Sequence, residues 1–448
     1  MNNKLKHMKI FYCNLIILLF PLLSLTTQAE NYPYRSDFLW VATPDHSDWL
    51  YETGEKATIE IQLYKYGVAV DGAELTYEIA PDMLTATSKG RTTIKNGKAT
   101  INIGSRKNPG FQDLRMTAVV DGMTTKHHVK VGYSVSKIMP YTKEPDDFKS
   151  FWDETLKQYE NPIEISRTPA PEYCTDKIDC WLIKLRTDRE HYIYGYLTMP
   201  KNASKGSHAA VMCPPGAGVK TIKEPLRHKY YAENGFIRFE VEIHGMNPTW
   251  SEQDFKDIQQ AFASRDNNYL TNGISDRDRY YMRHVYGGMY AAMRYLQSLP
   301  EWDGHNLTIQ GGSQGGALAL ITAALCPDIT LCVANHPALT DMAAYAEQGR
   351  TGGYPNWKDP SILTPQNIKT LAYYDVINFC RYVKCPVRMT WGYNDSTCSP
   401  TTSYAAWNTL SCEKEAFITP INEHWTSENM ERQHMEWLLE KIKAKSNK

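Results

Sequence analysis

The chain has almost no net charge and no long run of one sign: 49 Lys and Arg stand against 50 Asp and Glu, a balance of −1 at pH 7. Without a basic patch it lacks the electrostatic footprint that nucleic acids or anionic membranes require. It also lacks any C-x-x-C or H-E-x-x-H spacing. Neither a structural nor a catalytic metal is expected, and no cofactor is called for. Beyond the N-terminal leader, no segment is long and apolar enough to span a bilayer. Small neutral substrates or neutral polymers suit such a surface, and a homo-oligomer is compatible with it.

What is present begins with that leader. Lys4, Lys6 and Lys9 precede the apolar stretch Ile10 to Leu25, and Thr27-Gln28-Ala29 supplies small residues for cleavage. This is the order of a secretory signal peptide over residues 1–29. A membrane anchor is the competing reading, disfavoured by the short apolar run and by the polar residues Thr26 to Asn31 that follow. Cys13 lies inside the apolar core rather than at a small-residue cleavage site, so lipid anchoring is not expected. A secreted or periplasmic protein follows, free of the membrane after cleavage. Ten cysteines less Cys13 leave nine, an odd number. Cys174/Cys180, Cys326/Cys332 or Cys380/Cys385 could pair in an oxidising compartment. Cys326 and Cys332 read better as buried small hydrophobes flanking a helix-to-strand turn.

At 448 residues the chain is too long for one ordinary core. Residues 31–138 carry short alternating runs such as Thr58 to Leu63, Leu75 to Ile79 and Ala99 to Ile103, separated by Asp71-Gly72, Asn96-Gly97 and Asp121-Gly122. These are strands joined by two-residue turns, and their spacing predicts a small all-β, immunoglobulin-like sandwich. His127 and His128 face opposite sides of one strand and are expected to serve packing or solvent contact. Because no candidate catalytic group lies here, the sandwich should be dispensable for turnover of a small ester. From residue 139 to 448, strands such as Ala209 to Met212 and Phe236 to Val241 alternate with helices such as Tyr281 to Leu296. This pattern predicts an α/β fold, a mostly parallel sheet covered on both faces, with functional loops at the carboxyl ends of its strands.

One such end carries Gly311-Gly312-Ser313-Gln314-Gly315-Gly316, between the apolar run Leu307 to Ile309 and the helix-forming run Ala317 to Leu325. Strand, sharp turn and helix around G-x-S-x-G form a nucleophile elbow, whose glycines are needed where a Cβ would strike the adjoining backbone. An activated serine needs a base and a group to orient that base. Asp395 follows the strand Pro386 to Trp391, and His424 follows the strand Glu415 to Thr419, which gives the chain order serine, acid, histidine. A turn or cap role for Asp395 is less favoured because Ser399-Pro400 already caps the next helix. Asp341 is the reserve acid, and His336 and His434 are the rival bases. For the oxyanion, the backbone N–H of Gln314 and one from Gly216 or Ala217 are expected, with Ala217 favoured, since Pro214 and Pro215 have no N–H.

With these residues in place, positions 140–445 resemble the acetyl xylan esterase and cephalosporin C deacetylase family, carbohydrate esterase family seven, of the α/β-hydrolases. The resemblance rests on Arg279-Tyr280-Tyr281 to Tyr295, the Gly311 to Gly316 elbow, Lys384-Cys385-Pro386-Val387 leading to Asp395, and Glu423-His424. It implies Ser313 as nucleophile, Asp395 as acid, His424 as base, and removal of acetyl groups from saccharides such as xylan. Three positions depart from the family pattern. His244-Gly245-Met246 stands for Arg-Gly-Gln, Pro215-Gly216-Ala217 for His-Gly-Tyr, and only Asp395 with Ser399-Pro400 survives of Asp-x-x-x-Pro-Pro. Trp425 and Tyr393, beside the base and the acid, are the candidate substrate-binding residues. The competing functions are a serine peptidase of the prolyl oligopeptidase type, for which the N-terminal region is too short to form a propeller, and a non-catalytic glycan-binding protein, against which the intact Ser, Asp and His set argues.

Overall fold

The computed structural model describes residues 36–263 and 269–446; the leader read from the sequence lies outside them. Among the described residues, no helix is long and apolar enough to cross a membrane.

The N-terminal part is built of two sheets. In one, the strand Ala57–Lys65 pairs with Phe38–Pro44, Val68–Ala69 and Lys98–Gly104; the other runs in the order Leu50–Tyr51, Met123–Tyr133, Gly110–Val120, Glu74–Pro81, Ser88–Thr93. Alternation does the work. Ile59, Ile61 and Leu63 face Leu114, Val129 and Val131 across a shared apolar core, while Glu60 and Gln62 point outward. Asp121-Gly122 is a true hairpin, both residues at positive φ, joining two paired strands. Asn96-Gly97 also has positive φ at both positions, but its turn closes a single bridge, Lys95 to Lys98. The flanking strands belong to opposite sheets, so this turn carries the chain between sheets rather than making a hairpin.

The remaining strands form one nine-stranded sheet. Its spatial order is Ile163–Pro169, Ile178–Arg186, Tyr192–Pro200, Ile237–Val241, His208–Cys213, Trp302–Gly312, Leu331–Asn335, Val387–Gly392, Lys414–Thr419. The first three pairings are antiparallel and the rest parallel. Central strands are apolar on both faces, as a doubly covered sheet demands. Ala210 and Met212 join the core that holds the helices Met282–Ser298 and Gln314–Leu325, whereas Val211 and Cys213 face Tyr231, Met435 and Leu438 of the opposite layer. All nine cysteines of the described residues are free thiols, so the pairings considered from spacing are not made; Cys326 and Cys332 are buried in the core.

The two parts share a packed boundary. Phe111 of the sandwich stacks obliquely on Tyr393 and Tyr404, with ring centroids 5.0 and 5.7 Å away. Asn408 Nδ2 donates to the carbonyls of Val135 and Ile138 at 2.9 and 3.0 Å. Tyr393 is 1% exposed and its hydroxyl meets that of Tyr404 at 3.0 Å. It therefore cannot contact substrate, contrary to the expectation from its place beside Asp395. Its ring belongs to the boundary with the sandwich.

Candidate active site

Ser313 sits between the strand Trp302–Gly312 and the helix Gln314–Leu325, with φ 59° and ψ −123°. The turn explains its glycines. A Cβ on Gly311 would lie 2.3 Å from the carbonyl oxygen of Gly315, and one on Gly315 would lie 2.5 Å from that of Pro214. A Cβ on Gly316 would meet the carbonyl of Asn335 at 2.5 Å. All three obstacles are backbone, so no side-chain adjustment relieves them.

Three strand ends converge on the serine. His424 Nε2 lies 3.0 Å from Ser313 Oγ, and His424 Nδ1 lies 2.8 Å from Asp395 Oδ2. A carboxylate only accepts, so Nδ1 carries the proton and Nε2 is left to accept from the serine hydroxyl. The second carboxylate oxygen accepts from the N–H groups of Thr397 and Cys398 at 2.7 and 2.8 Å. Asp395 is 0% exposed. Ser399 caps the helix that follows, accepting from the Thr402 N–H, with Pro400 in the first turn. The helix cap is thus Ser399 and not Asp395.

The rivals are placed elsewhere. Asp341 accepts from the backbone N–H groups of Tyr141 and Thr142 at 2.8 to 3.0 Å, tying the segment after the sandwich to the fold. His434 is buried in the terminal helix, and neither ring nitrogen has a partner among the described residues. His336 is different, for its ring centroid lies 4.3 Å from that of His424. Burial, and then the neighbouring His424, push its pKa down to about 4. It is a neutral imidazole packed beside His424. His336, Asp395 and His424 bring ligand-capable atoms within 4.8 Å of one another, but both ring nitrogens of His424 are engaged by Asp395 and Ser313.

The backbone N–H of Gln314 opens the helix beside Ser313, and those of Gly216 and Ala217 have no hydrogen-bond partner among the described residues. A network the sequence did not disclose holds this loop. The Tyr269 hydroxyl donates to Gln314 Oε1 at 2.7 Å and accepts from the Gly218 N–H at 3.0 Å. His244 Nε2 lies 3.2 Å from the Gly218 carbonyl and Nδ1 lies 2.7 Å from the Tyr281 hydroxyl. Burial pushes the pKa of His244 down to about 4, so it is neutral, donating to Gly218 and accepting from Tyr281. The departure at His244 was visible as a substitution; its partners were not, because nothing local links Tyr269 to Gln314. Trp425 is 52% exposed at the rim. Beside the elbow a polar cleft is lined by Gly216, Lys220, Arg238, Glu242 and Glu431.

An imidazole bonded at once to a serine hydroxyl and a buried carboxylate is equipped for acyl transfer. Comparison with known proteins agrees. Residues 133–441 match the family described as acetyl xylan esterase (AXE1). The chain is 53% identical over 432 residues, 96% of its length and 97% of the relative's, to acetyl esterase Axe7A of Xylanibacter ruminicola. Two solved structures share the fold. An acetyl xylan esterase from Paenibacillus sp. R4 superposes with a TM-score of 0.58 at 23% identity, covering 68% of this chain and 97% of that one. Acetyl xylan esterase 1 from Thermoanaerobacterium sp. JW/SL YS485 gives 0.56 at 20% identity, with the same coverages. The family match begins at residue 133 and leaves the sandwich outside, whereas the Axe7A match takes it in. The chain is a carboxylic ester hydrolase of the α/β-hydrolase fold and belongs to the acetyl xylan esterase family.

Proposed function

We propose that the protein removes acetyl, or other short acyl, groups from acylated saccharides such as xylan or xylo-oligosaccharides, with Ser313, His424 and Asp395 as its catalytic triad. The observation that carries this is the continuous bonding chain, 3.0 Å from serine to histidine and 2.8 Å from histidine to aspartate, at a strained elbow. Ser313 Oγ attacks the ester carbonyl while His424 Nε2 takes its proton. The tetrahedral oxyanion is met by the N–H of Gln314 and by that of Ala217 or Gly216. His424 returns the proton to the departing sugar oxygen, releasing the saccharide alcohol and leaving an acyl-serine. Water, deprotonated by His424, then attacks the acyl carbon and frees the acid and the serine. The polar cleft beside Gly216 suits a hydroxyl-rich leaving group. Lys4, Lys6, Lys9 and the apolar run to Leu25 support export as a secreted or periplasmic enzyme; the N-terminus of the exported protein should follow Ala29.

Ser313→Ala should abolish acetate release from acetylated xylo-oligosaccharides, followed by mass spectrometry, by on the order of a millionfold in kcat, with folding unchanged. Retention of more than about a hundredth of the rate would remove Ser313 from the mechanism.

A further inference from the structure

One buried side chain of the sandwich bonds directly to the backbone of Asp395. Along the strand Met123–Tyr133, Val129, Val131 and Tyr133 fill the sandwich core, so Lys130 projects from the opposite face toward the α/β region. It is 0% exposed. Its ammonium lies 2.9 Å from Asp82 Oδ1 and donates to the backbone carbonyl of Asp395 at 2.6 Å. The Lys130 N–H donates to Asn394 Oδ1 at 2.9 Å. Asn394 Nδ2 in turn donates to the carbonyl of Ile421 at 3.2 Å, in the loop that carries His424. Asp82 also accepts from the Thr401 hydroxyl at 2.7 Å, beyond the acid.

Burying an ammonium is costly even when it is paired, and a well-packed apolar side chain would join two layers at lower cost. What the charge adds is direction. The bond falls on the peptide of Asp395 itself, and its companion through Asn394 spans the acid and base loops. We propose that Lys130, supported by Asp82 and Asn394, is a positioning residue that fixes Asp395 in register with His424. The N-terminal sandwich is then part of the working enzyme rather than an appended module. This rests on the triad reading above.

The test is a double-mutant cycle on the full-length protein. Lys130→Met alone leaves Asp82 buried without its partner, so the working variant is Lys130→Met with Asp82→Asn, with Asn394→Ala as a second, independent cut. Each is assayed on p-nitrophenyl acetate in the wild-type and Asp395→Asn backgrounds. In the wild-type background kcat should fall about ten- to a hundredfold with KM within about twofold, the scale of a displaced catalytic group. In the Asp395→Asn background the same changes should cost less than about twofold, because the group they position is already disabled. The downfield proton resonance of the His424 imidazole should weaken or shift in the folded variants. Equal losses in both backgrounds, a folded variant within about twofold of wild type, or failure of Lys130→Met/Asp82→Asn to fold would each overturn the proposal; the last assigns the pair to stability. Full activity in Asp395→Asn alone would instead defeat the triad reading, whatever Lys130 does.

Discussion

The loops that carry Asp395 and His424 end adjacent parallel strands, yet they are built in opposite ways. The acid loop is buried: Asp395 and Ser399 are 0% exposed, the carboxylate accepts two backbone N–H groups, and the sandwich closes over it through Phe111 and Lys130. The base loop is open, with Ile421 68% and Trp425 52% exposed, and the sandwich approaches it where His128 Nε2 stands 3.7 Å from Glu423. The difference matches the work proposed for each residue. An orienting carboxylate must not move. A base that collects a proton from one oxygen and returns it to another needs freedom to tilt.

Removing the two residues is the strongest way to break this comparison. Asp395→Asn keeps the shape but gives the imidazole the wrong tautomer and should cost on the order of ten-thousandfold in kcat; His424→Ala should cost as much or more. Rescue should separate them. Added imidazole should restore part of the activity of His424→Ala, whose side chain is 25% exposed in the wild type. Formate should do nothing for Asp395→Ala, whose site is sealed. Rescue of both to the same degree would show that the two loops are equally accessible.

Much of this was legible in the sequence because the information is local. Strand, turn and helix around Ser313 follow from a dozen consecutive residues, and Asp395 and His424 follow from apolar runs that stop at loops. The alternation of Ile59, Ile61 and Leu63 gave the sandwich core in the same way. The rest was invisible for a physical reason. Lys130 and Asp395 are bonded across 265 positions, and in the sequence Lys130 is one lysine in a polar stretch after His127-His128. Tyr393 was misread because adjacency to a functional residue says nothing about which way a side chain points on a strand end. The sandwich reads as separable because it holds no candidate catalytic group, and the sequence does not reveal that its outer face packs on the acid loop through Phe111 and Lys130.

A smaller effect tests the open side. Ala217 presents one methyl where the pattern of the resembled family implies an aromatic, and with Tyr393 buried Trp425 is the remaining candidate of the two to refill that space. Each added methylene is worth about 0.8 kcal/mol when buried. Propionyl and butyryl p-nitrophenyl esters should therefore be turned over within about tenfold of the acetate in kcat/KM, equivalent to roughly 1.4 kcal/mol. A steeper fall from acetyl to propionyl would mean that Trp425 or the loop itself closes the pocket. Trp425→Ala should then restore the longer esters.

The smallest effect concerns stability rather than turnover. The terminal helix Glu428–Ser446 roots the base loop, and His434 is buried within it with both ring nitrogens unpartnered among the described residues. Burial first, then the charge of Arg388 and the nearby His336 ring, push its pKa down to about 3. As pH falls below about 6.5 the unfolded chain takes up a proton on this imidazole while the folded chain does not, so the unfolded state binds more protons and stability declines. The slope is at most about 1.4 kcal/mol per pH unit, or about 2 kcal/mol between pH 6.5 and 5. His434→Leu removes that proton linkage and no hydrogen bond among the described residues. It should therefore match the wild type in Tm near pH 8, exceed it increasingly toward pH 5, and leave kcat on small acetates unchanged. Parallel Tm curves for the two proteins across that range would show that the ring is protonated, or solvated, in the folded state. A fall in kcat would mean that this helix sets the position of His424 more tightly than its open loop implies.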